Sequence, residues 1–213
     1  MGMGEPLLNF EPVIESAKIM KDQMAYGLSR KRITISTSGI TPQIDKLSKS
    51  IDVSLAISLH APIDKLRDEI VPINKKYPIS ELMRSCKDYL SNYAGKRNIT
   101  IEYVLIDGVN DSPELARKLT KLLSDISCKI NLIPFNPFEG SNYKRASKNN
   151  INEFKNILMK KGFITTLRIT RGDAIDGACG QLVGKLSKSV KGKKLISHQL
   201  IPCCLLYTSP SPR

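Results

Sequence analysis

The sequence has no tryptophan, two histidines and no apolar run of about 18 residues, the length that a membrane-spanning helix needs. We therefore expect no membrane association. The first residues show no basic segment followed by an apolar one, so no signal peptide is expected. The five cysteines are an odd number and widely scattered. This spacing is not that of a secreted disulfide scaffold and favours the reducing cytoplasm.

Acidic residues are few compared with basic ones. The chain has 33 Lys and Arg against 20 Asp and Glu, a formal net charge of +13. This surplus indicates a polyanionic partner, most simply a nucleic acid. Residues 185–213 contain six basic residues and no acidic one, and the rest of the chain is also basic. The basic residues that could contact phosphates lie at 30–32, 144–145, Arg168 and Arg171.

Short β-branched and apolar runs alternate with segments of helical spacing. Strands are predicted at residues 33–37, 53–59, 99–106, 129–135 and 164–169. Helices are predicted between Glu11 and Met20 and at residues 42–47, 79–93, 112–124 and 148–160. The strands are apolar runs rather than clean alternations, which is typical of a parallel sheet buried on both faces. The predicted fold class is α/β, as an open doubly wound sheet or as a whole or partial barrel.

Residues at the predicted helix ends carry local signals. Thr41 and Ser80 are predicted to cap the amino ends of their helices. Pro113 falls at the first position of its helix, where a missing N–H does no harm. Gly162 is predicted to end the helix that precedes it.

Polar or glycine-rich clusters follow the predicted strands. They lie at residues 36–39, 58–60, 107–111, 136–137 and 170–173. In folds with parallel strands, ligands bind at the carboxyl ends of the strands, which meet at one rim. A single cluster is an ordinary turn or helix cap, but five along one rim favour a ligand-binding face.

Residues 1–7, MGMGEPL, resemble the glycine-rich motif that binds the methionine amino group in radical S-adenosylmethionine (SAM) enzymes. An ammonium needs acceptors, and glycines let backbone carbonyls approach it closely. Further strings follow in order: STSG at 36–39, AISLHA at 56–61, DEIVPINKKY at 68–77, NLIPFNPF at 131–138 and ACGQL at 178–182. Over residues 1–186 the set resembles the bacterial adenine-C2 methyltransferases of 23S rRNA and tRNA. The related adenine-C8 rRNA methyltransferases are the second choice.

The resemblance implies a partial (βα) barrel of the radical SAM type that lacks its N-terminal strands and binds SAM at its open end. Residues 33–37 would then flank an exposed edge of the sheet. The resemblance implies that Gly4 and Glu5 bind the methionine amino end and that Ser36 binds the carboxylate or ribose. It implies that Ser58, Leu59 and His60 line the ribose and adenine side. Asn136 is implied to contact the adenosine.

The resemblance also implies that Cys179 is the catalytic residue. Carbon 2 of adenine is not nucleophilic, so ordinary methyl transfer does not work there. In this family one SAM methylates a cysteine thiolate, and a second SAM, reduced by an iron–sulfur cluster, yields the radical that activates the S-methyl group. The methyl carbon then adds to the adenine, and a second cysteine resolves the adduct. Cys86 and Cys128 match no motif and are predicted to be core residues.

The sequence departs from the family in one respect. The CxxxCxxC motif that holds the family's [4Fe-4S] cluster is absent, and so no metal ligand is assigned. In the family this motif, the resolving cysteine and an accessory RNA-binding domain lie upstream. We therefore expect a fragment that cannot methylate RNA alone. Its expected parts are a barrel part at 1–186, a basic tail at 187–203 and a translated sequencing adaptor at 204–213.

Two other classes of function remain open at this point. One is a non-catalytic module that binds SAM or RNA without a cluster. The other is an unrelated (βα) enzyme that uses the rim for a phosphate or sugar ligand. A monomer is the expected state in each case.

Overall fold

The computed structural model describes residues 4–93, 97–137 and 141–168, in which five strands form one parallel sheet. The strands are β1 (Thr34–Thr37), β2 (Ser54–Ser58), β3 (Ile99–Leu105), β4 (Cys128–Pro134) and β5 (Ile164–Leu167). Neighbours in the sheet are neighbours in the sequence. Because parallel crossovers are right-handed, this sequential order winds the connecting helices onto one face of the sheet. The order is that of a barrel wall and not of a doubly wound sheet, which reverses direction at its centre.

Six α-helices accompany the described strands. They are α1 (Phe10–Lys21), α2 (Thr41–Ser50), α3 (Asp64–Ile70), α4 (Ile79–Ser91), α5 (Pro113–Leu122) and α6 (Lys148–Lys160). Short 3-10 helices lie at Pro6–Asn9, Arg30–Arg32 and Pro72–Lys75. Helix α2 packs against α4, and α5 packs against α6. None of the described helices is long and apolar enough to cross a membrane.

The two faces of the sheet differ in polarity. One face belongs to the main hydrophobic core, with members such as Ile57, Ile101 and Leu132 that are fully buried. The register places a largely polar set on the other face: Thr34, Ser36, Ser54, Ser58, Thr100, Glu102, Lys129, Asn131 and Thr166, together with the apolar residues Ala56, Val104, Ile133 and Ile164. The predicted parallel sheet is confirmed. Its second face is buried at Ala56, Ser58, Glu102, Val104 and Ile133, although many side chains of this face are polar. The polar face is what a barrel needs on its inner side if it binds a polar ligand there.

The ends of the helices are partly those predicted. Ser112 caps α5 by accepting a hydrogen bond from the Leu115 N–H, with Pro113 at the first helical position. Gly162 follows α6 with a φ of 86°, in the left-handed region. The predicted caps at Thr41 and Ser80 are wrong, because α2 and α4 are preceded by Ile40 and Pro78 as capping positions.

Tertiary partners explain both wrong caps. Thr41 is the first helical residue of α2, and its hydroxyl donates to the Glu81 carboxylate of α4. The first N–H of α4, that of Ile79, donates to Oδ1 of Asp64 at 2.9 Å. A side chain 15 positions earlier therefore caps this helix in place of the local serine.

Strand β1 lies at an edge of the described sheet. Among the described residues β1 pairs with β2 and with no other strand, as the expected exposed edge at residues 33–37 requires. A groove of about 260 Å³ separates this edge from α1. Its lining residues include Val13, Ala17 and Met20 of α1 and Ile33 and Ile35 of the strand.

Candidate functional site

The predicted site residues cluster at the carboxyl ends of the strands. The segments that follow β1, β2, β3 and β4 meet at this rim because the strands are parallel. All of the predicted cofactor-binding residues lie within the described residues, and Cys179 lies outside them. The predicted tails at 187–203 and 204–213 and the cluster at 170–173 also lie outside the described residues.

The Glu5 carboxylate joins the glycine-rich segment to the end of β1. Its Oε2 accepts hydrogen bonds from the Ser38 N–H and the Ser38 hydroxyl, both at 2.8 Å. Its Oε1 accepts from the Leu7 N–H at 3.1 Å and so caps the first 3-10 helix. A carboxylate offers about four lone-pair positions, so one acceptor position remains for a ligand cation. Gly4 beside it is exposed, with open space where a side chain would stand.

Ser36 and Ser58 lie on the polar face of adjacent strands. Ser36 is half-buried and pairs in register with Ala56, two positions before Ser58. Ser58 is buried and pairs with Glu102 of β3. Both hydroxyls therefore belong to the same face of the sheet, where each can donate and accept a hydrogen bond.

His60 turns back from the end of β2 onto β3. It is buried, and its φ of 60° is the one positive value among the described non-glycine residues. Its Nδ1 accepts a hydrogen bond from the Val104 N–H at 3.1 Å. A nitrogen that accepts carries no proton, so the ring proton lies on Nε2. The imidazole is thereby held in one orientation and one tautomer.

Leu59 differs from its two neighbours. Its side chain lies in the main hydrophobic core and is fully buried. Its N–H donates to the Glu102 carbonyl at 3.1 Å, and its carbonyl accepts from Nε of Arg67 at 3.1 Å. The predicted role of Leu59 in cofactor binding therefore depends on the position of its backbone, because its side chain lies in the hydrophobic core.

Asn136 lies two residues beyond β4 at the same rim and is buried.

The sequence singled out residues 107–111 only as a polar cluster, but Asn110 has a specific structural role. Its Nδ2 donates to the carbonyls of His60 at 2.9 Å and Val104 at 2.7 Å. Its Oδ1 accepts from the Ile106 N–H at 2.8 Å. Asn110 therefore ties the end of β2 to the end of β3.

A second residue that the sequence analysis missed is Glu102, in the middle of the polar face. Its Oε2 accepts from Nδ2 of Asn131 at 2.8 Å, and Oδ1 of Asn131 accepts from the Thr166 hydroxyl at 3.1 Å. Burial raises the pKa of Glu102, and the hydrogen bond from Asn131 and the charge of Arg168 oppose that rise. Ser58, Glu102, Asn131 and Thr166 are register partners on strands β2 to β5 and form one row across the polar face. This row thus presents acceptors to a ligand that carries hydroxyl or amino donors.

The described residues do not fit an iron–sulfur cluster. They contain no group of three or more His, Cys, Asp or Glu side chains that could hold a metal ion. The two described cysteines are free: Cys86 is fully buried in α4, and Cys128 begins β4. Burial raises the pKa of Cys86 to about 12 and that of Cys128 to about 11.

The polar face and rim do fit SAM. Its ammonium needs acceptors, which the Glu5 carboxylate supplies, and its ribose needs paired donors and acceptors, which the serine hydroxyls and the Asn136 amide supply. Glu5 contacts the end of β1, Ser36 and Ser58 lie in β1 and β2, and Asn136 follows β4 at the same rim. The donor set therefore matches a zwitterionic nucleoside.

The basic residues lie at both ends of the sheet. Arg30–Arg32 precedes β1 and is at the amino end, opposite the rim. The Lys144 carbonyl accepts from the Asp107 N–H, and Arg145 forms a β-bridge with Ile106, so both lie at the rim. Arg168 follows β5 and also belongs to the rim.

This chain is similar in sequence to known proteins. Residues 1–119 match the radical SAM superfamily. The dual-specificity RNA methyltransferase RlmN of Pseudomonas putida is 58% identical over 187 residues, which is 88% of this chain and 49% of the relative. RlmN of Marinobacter nauticus is 56% identical over 202 residues, which is 94% of this chain and 55% of the relative. The chain thus spans about half the length of the curated relatives it matches.

Solved structures agree with this relationship. A radical SAM methyltransferase from Sphaerobacter thermophilus superposes with a TM-score of 0.79 and 44% identity, over 84% of this chain and 52% of that one. A domain of pyruvate-formate lyase-activating enzyme from Bacteroides vulgatus superposes with a TM-score of 0.60 and 19% identity, over 78% of this chain and 96% of that one. This similarity supports the fold alone. The family match covers more than half of the chain, and the chain belongs to the radical SAM superfamily.

Proposed function

We propose that this chain is part of an RNA methyltransferase that adds a methyl group to carbon 2 of an adenine in 23S rRNA and tRNA. The observation that carries the proposal is the 58% identity to a dual-specificity RNA methyltransferase over 88% of the chain. The polar inner face and the Glu5–Ser38 contact at the rim support a SAM site in the same part. The basic surplus of the sequence supports an RNA partner.

Residues 1–186 are the barrel part in this proposal, and the described residues bind and orient the cofactor. Glu5, with Gly4 beside it, receives the amino end, Ser36 the carboxylate or ribose, and Asn136 the adenosine. Ser58 and His60 line the ribose and adenine side, with Leu59 setting their backbone path. When bound, SAM supplies the transferred methyl group and the radical chemistry that activates it.

Cys179 is the proposed carrier of the methyl group. A thiolate is a strong nucleophile and can take a methyl group by displacement, as a buried thiol such as Cys86 cannot. The [4Fe-4S] cluster of the superfamily belongs to a part of the full-length protein with a CxxxCxxC motif, which this sequence lacks. Turnover is therefore a property of the full-length protein.

The RNA is proposed to approach the rim from the side of Lys144, Arg145 and Arg168. These cations contact phosphates without reading the sequence, and the target adenine is unstacked to reach the site. Arg30–Arg32 lies at the other end of the sheet and is not part of this contact. The protein is proposed to act as a monomer in the cytoplasm.

A chimeric enzyme tests the proposal. Residues 1–186 of this chain replace the matching half of the Pseudomonas putida relative, in a host that lacks its own enzyme. Methylated adenosines in 23S rRNA and tRNA are then identified by mass spectrometry against 2-methyl and 8-methyl standards. We expect 2-methyladenosine, and none in the matched Cys179→Ala chimera. An 8-methyl product would contradict the assignment to carbon 2, and a folded chimera without methylation would contradict the function.

A further inference from the structure

A fully buried arginine lies behind the rim. Arg67 belongs to α3, and none of its surface is exposed. Its Nε donates to the Leu59 carbonyl at 3.1 Å, and its Nη2 donates to the carbonyls of Ser38 at 2.6 Å and Ser58 at 3.2 Å. One guanidinium thus holds three backbone carbonyls that belong to the ends of two adjacent strands.

The charge of Arg67 is connected to acidic groups through one amide. Nη1 of Arg67 donates to Oδ1 of Asn74 at 2.8 Å. Nδ2 of Asn74 donates in turn to Oδ1 of Asp64 at 2.9 Å and Oδ1 of Asp68 at 2.7 Å. Because a buried cation requires hydrogen bonds and opposite charge nearby, this chain of contacts keeps the guanidinium in place.

The carbonyls that Arg67 holds belong to the segments of the candidate cofactor site. Ser38 binds Arg67 through its carbonyl and binds Glu5 through its N–H and hydroxyl. Ser58 and Leu59 lead directly into the turn of His60. Arg67 therefore links Glu5, through Ser38, to the residues that follow β2.

Gly39 makes the approach of Arg67 possible. Its φ is 112°, and a side chain there would begin 3.3 Å from Nη2 of Arg67 and 3.2 Å from Leu82. A Cβ at that distance is tighter than ordinary contact, and the backbone conformation itself favours glycine. The glycine next to Ser38 thus leaves room for the guanidinium.

We propose that Arg67 is a positioning residue of the cofactor site, which sets the distance between the Glu5–Ser38 pair and the segment of Ser58 and His60. This inference rests on the proposed SAM site. Arg67 acts through backbone carbonyls and does not touch the ligand. Its planar fork of donors is essential, because a lysine ammonium cannot reach the carbonyls of both strands and Asn74 at once.

The experiment compares two variants of the full chain that lose stability in different places. Arg67→Lys removes the fork, and the control Leu158→Ala truncates a fully buried side chain of α6. Binding of S-adenosylhomocysteine is measured by titration calorimetry at a temperature where both variants are folded by circular dichroism. We expect Arg67→Lys to bind at least ten times more weakly than the parent, and Leu158→Ala to bind within a factor of two.

A second readout separates positioning from general stability. Hydrogen exchange of peptides that contain residues 36–39 and 58–60 should accelerate in Arg67→Lys, while exchange in β4 stays unchanged. Asn74→Ala keeps the arginine but removes its anchor, and we expect an intermediate loss of affinity of about threefold to fivefold. If Arg67→Lys does not fold, the Asn74→Ala result decides the question.

Binding by Arg67→Lys within a factor of two of the parent, or an equal loss in Leu158→Ala, would overturn the inference while leaving the proposed function intact. If the parent binds, Arg67→Lys loses affinity as expected and the chimera fails to methylate RNA, the proposed function fails while the role of Arg67 stands. If the parent chain does not bind S-adenosylhomocysteine, the SAM site fails and the role of Arg67 fails with it.

Discussion

Glu5 and Ser38, 33 positions apart in the sequence, are joined by two hydrogen bonds of 2.8 Å to one carboxylate oxygen. The contact brings the glycine-rich segment to the end of β1, where the candidate site begins. It makes the carboxylate both a structural link and the proposed acceptor of a ligand ammonium.

Glu5→Gln should weaken both the link and ligand binding. An amide retains one acceptor oxygen, so it cannot satisfy Ser38 and Leu7 as the carboxylate does. Charge-assisted hydrogen bonds of this kind are worth about 1.5–3 kcal/mol, and we expect a loss of stability near the lower end because Glu5 is only half-buried. Urea denaturation measures the loss. Ser38→Ala, which keeps the N–H contact, is the matched control and should lose less.

His60→Ala should destabilise the protein more than His60→Asn. Alanine leaves the buried Val104 N–H without its acceptor, which costs about 1–3 kcal/mol. Asparagine tolerates the positive φ better than most residues. Chemical denaturation of the two variants compares the losses. In the parent, nitrogen-15 shifts of the imidazole should report a proton on Nε2, and an Nδ1-protonated ring would contradict the structure.

Both terminal nitrogens of Arg97 donate to the Asp52 carboxylate, and the stability that this ion pair contributes should be lost in acid. The hydrogen bond from Arg97 lowers the pKa of Asp52 from its ordinary value of 3.8. A lowered folded-state pKa contributes stability that is present above 3.8 and is lost as the pH falls from there through the folded-state pKa. Thermal unfolding between pH 7 and pH 2.5 should show this loss. Asp52→Asn should be less stable than the parent at pH 7 and should lose less below pH 4.

Glu102 should have the opposite effect on stability. Burial raises its pKa above the ordinary 4.5, so the folded state holds this proton more tightly than the unfolded state does. Its contribution to stability is therefore greatest below pH 4.5 and declines as the pH rises through the raised pKa. Glu102→Gln keeps an acceptor for Asn131 and removes the buried charge. We expect it to be more stable than the parent at pH 7.5 and nearly equal at pH 4; equal stability at both values would contradict the prediction.

Cys86 and Cys128 should resist alkylation in the folded protein. With pKa values raised to about 12 and about 11, both are thiols at pH 8, and the thiolate is the reactive form. Peptide mapping after iodoacetamide treatment should find both unmodified until urea unfolds the chain. Rapid labelling of Cys86 in the folded state would show that the core of α4 is open.

Helical spacing and capping residues predicted the elements whose ends depend on residues nearby in the sequence. The spacing of α6 gave its bounds at Lys148–Lys160, and the Ser112–Pro113 pair marked the start of α5. Helix α3 was missed because it is only seven residues long and starts after Ile63, without a side-chain cap. The cap of α4 could not be found from sequence because Asp64 supplies it from another helix.

The candidate site likewise contains residues that the sequence predicted and residues that it did not. Strand ends and motif strings led to Glu5, Ser58 and His60, and the structure brings their segments to one rim. Arg67 lies in the charged stretch DKLRDE, which by pattern is a solvated helix face. Only its burial beneath two strand ends distinguishes it from its neighbours. The polar face was missed for a related reason, since Glu102 stands among apolar residues in β3.

The sequential order of the strands has a consequence for synthesis on the ribosome. Within the described residues, each strand from β2 to β5 joins the one made just before it. After β1, no described strand must wait for a partner that is translated later. The sheet can therefore grow at one edge at the pace of translation, with every completed unit acting as the template for the next.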